Sequence, residues 1–185
     1  MIYGKDLRLR APERSDLPRF VAWMNDPEVN AGLLAVLPMS QAEEEAWFEN
    51  MLKSVPAQHP LVIEALHADV WTPIGNCGFH DIDWRCRSAE IGIWIGEKSF
   101  WNHGYGTQVM RMLLRHGFET LNLNRIMLCV FENNPRAIRC YEKVGFVHEG
   151  RLRQGMYKNG TYLDVLFMSI LREEYEQGKS SDQPA

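Results

Sequence analysis

The order of apolar and polar positions predicts alternating strands and helices. Leu7-Arg8-Leu9-Arg10 alternates at period two, a strand closed by Ala11-Pro12. Ser15 caps a helix whose apolar positions Leu17, Phe20, Val21 and Met24 recur at helical spacing, and Asn25-Asp26-Pro27 ends it. A second helix starts at Ser40, where Ser40-Gln41-Ala42-Glu43 spells a capping box, and turns Trp47, Phe48, Met51 and Leu52 inward. The intervening Val29 to Met39 has no clear period and reads as a loop. Leu61 to Leu66 and Ile74 to Ile82 read as a hairpin turning over Asp69 to Pro73, and Ala89 to Ile95 as the next strand. Met110, Leu113, Leu114, Phe118 and Leu121 then share one face of a helix ending near Asn122, with Arg111, Arg115 and Glu119 opposite. Arg125 to Val130 is a strand, and Asn134-Pro135 supplies a cap and a first-turn proline for a short helix carrying Ala137, Ile138 and Tyr141 up to Gly145. Phe146 to Leu152 and Leu163 to Leu171 complete the pattern around the turn Lys158-Asn159-Gly160-Thr161.

This order predicts an α/β fold with a mixed, mostly antiparallel sheet of seven strands flanked by helices: antiparallel where hairpins join strands, parallel where a helix crosses over. A chain of 185 residues suits one domain, expected over residues 1–177; Gly178 to Ala185, apolar only at its last alanine, is expected to be a disordered tail. A net charge of −4 gives no general attraction for nucleic acid or anionic membrane, and the basic groups Arg111 to Arg115 and Arg151 to Arg153 are small. Cys77, Cys86, Cys129 and Cys140 fit no metal or redox spacing and read as reduced structural residues, so no metal is expected. No apolar run approaches the ~20 residues of a membrane span, and the first residues lack signal-peptide blocks, so a cytoplasmic location is expected.

The chemistry concentrates in Trp101-Asn102-His103-Gly104-Tyr105-Gly106-Thr107, placed between a strand and a helix. A strand, a glycine turn and a helix start leave backbone N–H groups unpaired at the positive end of the helix dipole, an anion cradle that suits phosphate. A P-loop is excluded because no Gly-Lys-Ser/Thr follows, and a dinucleotide fingerprint because Val109 stands where glycine or alanine is needed.

Two linked segments narrow the ligand. Trp101-Asn102-His103-Gly104-Tyr105-Gly106 and, some thirty residues on, Asn134-Pro135-Arg136-Ala137 followed by Tyr141-Glu142-Lys143-Val144-Gly145-Phe146 resemble the signature of the GNAT superfamily of acyl-CoA N-acyltransferases. Ala89-Glu90-Ile91-Gly92-Ile93-Trp94-Ile95, Glu149-Gly150-Arg151 and Asn159 to Asp164 are similar to the branch holding ribosomal-protein N-terminal and spermidine acetyltransferases. Trp101 departs from that signature, which has Arg or Gln there in many members. The resemblance implies a sheet splayed between the fourth and fifth strands, with acetyl-CoA as co-substrate. The backbone of Asn102 to Thr107 would hold its pyrophosphate, the edge of Ile93, Trp94 and Ile95 its pantetheine amides, and the helix start at Asn134 and Ala137 the opposite side. It also implies a possible homodimer.

Acetyl transfer needs a neutral amine, yet a lysine-like amine near pKa ~10.4 is neutral in only about one molecule in a thousand at pH 7. Glu90, on the same strand face as Gly92 and Trp94, is the first candidate base, with His80 in reserve. Tyr141 occupies the position of the family tyrosine that protonates the departing thiolate, and the backbone N–H of Ile95 or a neighbour would stabilise the oxyanion. Asp26, Glu28, Glu43, Glu44 and Glu45 give the expected acceptor region an acidic character suited to a cation, although acidic helix starts also complement the dipole. Trp23, Trp47, Trp71 and Trp84 read as core or dimer contacts. The leading expectation is acetylation of a peptide N-terminus or small amine; the alternatives are polyamine acetylation and a silent coenzyme A-binding module.

Overall fold

The computed structural model describes residues 1–181. Its strands are β1 (Ile2–Tyr3), β2 (Leu7–Arg10), β3 (Leu61–His67), β4 (Val70–Asp83), β5 (Ser88–Ile95), β6 (Arg125–Phe131), β7 (Val147–Lys158) and β8 (Thr161–Leu171). Its helices are α1 (Leu17–Met24), α2 (Pro27–Asn30), α3 (Gln41–Met51), α4 (Tyr105–Arg115), α5 (Pro135–Lys143) and α6 (Arg172–Ser181). The strands hydrogen-bond as an eight-stranded sheet in the order β1-β2-β3-β4-β5-β6-β8-β7. The expected class is therefore correct and the strand count is short by one. The addition, β1, is two residues long and pairs Ile2 with Leu9 and Tyr3 with Arg8.

The chain forms two compact units, Met1–Phe79 with Gly92–Val109, and His80–Ile91 with the chain from Met110 onward. In the first, β2, β3 and the beginning of β4 are antiparallel. The turn between β3 and β4 is Ala68-Asp69, both left-handed, and the strand then runs through Pro73. A register shift between Ile63 and Glu64 accommodates that proline, because a bulge tolerates a residue with no N–H to give. Leu17, Phe20, Trp23, Phe48, Met51 and Val62 form a buried cluster, each large apolar side chain contributing about 2 kcal/mol of transfer free energy. The capping box at Ser40 forms, with Glu43 N–H donating to Ser40 Oγ at 3.2 Å and Ser40 N–H to Glu43 Oε2 at 2.8 Å. Trp47, expected inward, is 37% exposed: the helix directs Phe48 and Met51 to the core instead. The first helix begins with a tighter turn, Arg14–Asp16, so its cap is Asp16 rather than Ser15.

A buried charge network ties β2 to the start of α1. Arg10 makes a bidentate pair with Asp16 at 2.7 and 2.8 Å and reaches Glu64 on β3 at 2.9 Å, while Arg8 pairs with Glu64 and lies over the Trp71 ring. Both carboxylates are buried. Burial raises the Asp16 carboxyl, but hydrogen bonds from Arg10 and from the Glu13 N–H outweigh it and hold the group below its ordinary range.

In the second unit, β5 runs parallel to β6, with Ser88, Ala89 and Glu90 against Arg125, Ile126 and Met127. β6 and β8 pair antiparallel along their length, and β7 pairs β8 through a hairpin whose tip, Asn159-Gly160, has positive φ at both residues, as a two-residue turn demands. Arg125 grips Glu149 and Ser169, and Arg125 lowers the Glu149 carboxyl to about 2. The stretch from Gly178, expected to lack structure, continues α6 to Ser181; the remainder of that expected tail lies outside the described residues. The cysteines are all free: Cys77 is buried, Cys140 partly so, and Cys86 and Cys129 are exposed.

Arg10→Gln should cost about 3 kcal/mol at neutral pH, since it removes the guanidinium paired with buried Asp16 and one of the two paired with buried Glu64. The depressed Asp16 contributes stability that is fully present above the ordinary carboxylate pKa of ~3.9 and lost as pH falls through its lower folded value. The gap between variant and parent, followed by chemical denaturation from pH 7 to 3, should therefore narrow in acid; a gap independent of pH would contradict the assignment.

Candidate active site

The cradle lies within the first unit. The carbonyl of Ile74 accepts from both Gly96 N–H (2.9 Å) and Glu97 N–H (3.1 Å), which turns the chain sharply at the end of β5. Gly96 lies flat on the Trp23 indole, where a Cβ would fall 2.2 Å from the ring. The turn Lys98–Phe100 follows, and the Trp101 indole N–H donates back to the Ile95 carbonyl at 2.7 Å. Asn102 (φ 64°) and Gly104 (φ 81°) are left-handed around His103, and α4 opens at Tyr105, with Gln108 N–H donating to Gly104 O at 3.2 Å. Alternating backbone handedness ahead of a helix turns successive N–H groups toward one concavity, and the first turn of the helix has no acceptors of its own for them. A Cβ at Gly104 would meet nothing within 4 Å, so glycine is required there by backbone conformation and not by crowding. Aromatic rings border the turn: Tyr105 stands 5.6 Å from Phe100 and 6.4 Å from His103.

Of the edge residues, Trp94 packs edge-on to Trp23 at 5.7 Å and belongs partly to the core. Ile95 has its carbonyl engaged by Trp101. The residue that departs from the family signature thus works through its side chain, tying the strand end to the cradle.

Within the second unit, Ala89 and Ile91 are buried while Glu90 is half-buried on the other face. One diagonal step away on β6 stands Cys129, an exposed residue whose thiol is nonetheless pushed up to about 11 by partial desolvation, by the charge of Glu90 and by a hydrogen bond with it. His80, the reserve base, is exposed. Asn134 caps α5, its Oδ1 accepting from Ala137 N–H at 3.1 Å, so both groups already have one bond inside the helix cap. Tyr141 is 7% exposed, and burial, followed by the neighbouring Cys140, pushes its phenol well above the ordinary range. The phenol is therefore protonated throughout the neutral range, as a proton donor must be. Its helix ends in a double cap: Gly145 (φ 98°) donates to Glu142 O and Phe146 N–H to Tyr141 O, each at 3.1 Å, with the two rings 6.1 Å apart.

The acidic residues of the expected acceptor region are largely engaged. Lys98 binds Asp26 at 2.7 Å and Glu28 at 2.6 Å, Glu43 belongs to the capping box, and Glu45 faces Arg14 at 3.4 Å. Glu44 is buried, and burial raises its carboxyl. Sequence reasoning missed the Trp101–Ile95 bond and the Cys129 thiol beside Glu90, because both depend on tertiary placement.

The chain matches the family described as the acetyltransferase (GNAT) domain over residues 6–147. It belongs to that family, and is an N-acetyltransferase that moves the acetyl group of acetyl-CoA to an amine. Among its relatives are the Bacillus subtilis protein YdaF, named for ribosomal N-acetylation, at 38% identity over 105 residues and 57% of each chain, and the spermidine N(1)-acetyltransferase of Vibrio cholerae, at 32% over 93% of this chain and 96% of the relative. The crystal structure of the spermidine N-acetyltransferase from Vibrio cholerae in complex with CoA and spermine is similar with a TM-score of 0.85 at 31% identity, covering 94% of this chain and 99% of that one.

Trp101→Phe keeps a ring in place and removes the bond to Ile95. A loss of about 1 kcal/mol in unfolding free energy is expected; an unchanged denaturant midpoint would show that the carbonyl finds another donor.

Proposed function

We propose that this chain, as one domain over residues 1–177, acetylates the primary amine of a peptide N-terminus or small molecule by direct attack in a ternary complex. The observation that carries the reading is the left-handed pair Asn102 and Gly104 opening α4. Backbone N–H groups from Asn102 to Thr107, including His103, Tyr105 and Gly106, bind the pyrophosphate of acetyl-CoA, while Trp101, whose own N–H donates to Lys98 O at 3.0 Å, orders the turn ahead of them. Main-chain groups of Ile93, Trp94 and Ile95 take the pantetheine amides, with Ile95 contributing its N–H because its carbonyl is held by Trp101. Asn134 contributes its amide Nδ2, since its Oδ1 already caps α5, and Ala137 contributes the surface of the first helical turn.

In the reaction the amine nitrogen bonds to the thioester carbonyl carbon and the carbon–sulfur bond breaks. Glu90 accepts the proton the amine loses, directly or through water, and Tyr141 gives its phenolic proton to the coenzyme A thiolate. A phenol is already protonated at neutral pH, and burial holds the Tyr141 proton more firmly still, so its transfer depends on the thiolate forming beside it.

Polyamine acetylation is the second reading, supported by the similarity to the Vibrio spermidine enzyme. The engaged carboxylates Asp26, Glu28 and Glu45 weigh against it, since a polycation needs free ones. We place the enzyme in the cytoplasm as a homo-oligomer, at least a dimer; a dodecameric structure of the Vibrio enzyme supports assembly, and no described helix is long and apolar enough to cross a membrane.

Tyr141→Phe should lower kcat by about 100-fold or more while leaving the KM for acetyl-CoA within a few-fold. Glu90→Gln should lose activity at pH 7 and recover as pH approaches the acceptor's own pKa, where the amine is neutral unaided. Thiol release with a panel of peptides, amino acids and polyamines measures both; full kcat for the phenylalanine variant removes Tyr141 as the acid, and coenzyme A binding without release for any amine supports a silent module.

A further inference from the structure

The β7–β8 hairpin is interrupted by a three-residue bulge. The pair Leu152–Val165 is followed by Met156–Leu163, so Arg153, Gln154 and Gly155 stand opposite Asp164 alone. Asp164 organises this wide bulge with all its polar groups. Its carboxylate accepts from Arg151 at 2.9 Å and from Gln154 N–H at 2.7 Å, its N–H donates to Glu132 Oε1 at 2.9 Å, and its carbonyl accepts from Glu132 N–H at 3.1 Å.

Gln154 is left-handed (φ 52°), which costs a non-glycine residue on the order of 1 kcal/mol and persists only where the surroundings impose it. A Cβ on Gly155 would sit 2.7 Å from the Leu152 side chain, so the loop is packed as well as hydrogen-bonded. Bulges re-aim side chains, and this one borders an open groove of about 670 Å³ lined by Arg151 to Gln154 and Asp164. Arg151 is neutralised by Asp164 and Glu132. Arg153 has no acidic partner among the described residues. The groove therefore presents one uncompensated guanidinium beside an exposed leucine. Glu132, which fixes Asp164, lies two residues before Asn134, so the groove is attached directly to the segment that opens α5.

We propose that Arg153 binds a carboxylate of the acceptor, so that the preferred substrate is an acidic peptide N-terminus rather than a polyamine. This rests on the acceptor reading given above. The guanidinium offers a fork of donors matched to a carboxylate, and Leu152 offers apolar contact for the aliphatic part of an acidic residue.

The test compares kcat/KM, by thiol release from acetyl-CoA, for three peptides differing only in the second residue, Glu, Ala or Lys, with spermidine as a fourth acceptor. The parent enzyme should favour the glutamate peptide over the alanine peptide by about 10-fold, the scale of one partly exposed charge-assisted hydrogen bond. Arg153→Ala should level the two while turnover of the alanine peptide stays within about twofold, Arg153→Lys should restore part of the preference, and Arg153→Glu should transfer it to the lysine peptide. Equal rates on all peptides, a parent preference for lysine or spermidine, or a glutamate preference surviving in R153E overturns the assignment while leaving acetyl transfer standing. Release with no amine at all overturns the acceptor reading together with it.

Discussion

One carbonyl oxygen organises the glycine turn that opens α4. Ile74 O accepts two successive N–H groups, from Gly96 and Glu97, and a strand that gives two donors to one acceptor must bend there. The bend is possible because position 96 has no side chain, the Trp23 ring occupying the space a Cβ would need. Beyond it the chain makes a single tight turn and returns Trp101 to Ile95, so that the loop presenting Asn102 and Gly104 is anchored at both ends before the helix starts. A cradle made of backbone has no side chain to swing into place; its donors are useful only if the backbone is already fixed. The aromatic cluster of Phe20, Trp23 and Trp94 supplies that fixity from the core of the same unit.

The same unit handles charge in an unusual way, placing Asp16 and Glu64 in its interior between Arg8 and Arg10. Such a network contributes little net stability compared with an apolar replacement, but it penalises any arrangement that leaves a member alone. Register between β2 and β3 is one such arrangement, since Arg8 stands opposite Glu64 and a one-residue slip would reverse the faces of both strands. The pairing thus specifies alignment in a region where Leu7, Leu9 and Ile63, all fully buried, would pack almost as well against other apolar neighbours.

Most of the fold was legible because it rests on local chemistry. Asn134-Pro135, the Ser40 capping box and the Asn159-Gly160 turn each form as their residue types dictate. The motif Tyr141 to Phe146 is instructive, since part of what reads as a catalytic signature is a helix-ending device: Gly145 supplies the left-handed residue, and Phe146 packs against the tyrosine whose carbonyl it bonds. The hairpin turn before β4 was misplaced because Pro73 reads as a turn residue, and only the register shift on β3 lets a strand continue through it. The contacts of Trp101 and Cys129 could not be read from the sequence. Their partners, Ile95 and Glu90, are set by how the chain folds back rather than by spacing along it.

Charge in the expected acceptor region shows how far composition can mislead. Five acidic residues between Asp26 and Glu45 invite a cation on paper, yet the folded chain already supplies cations or cap hydrogen bonds to all but Glu44. Glu44 is buried, which favours its neutral form and weakens it as a counter-ion. The β7–β8 hairpin moves the other way: two arginines flank Leu152, and only Arg151 is neutralised. What a substrate meets is the charge left after internal pairing, and on that measure the exposed remainder at the hairpin is positive although the chain as a whole is negative. A backbone cradle offers the same donors whatever acceptor is present, so on the proposed reading discrimination between acceptors falls to side chains such as these.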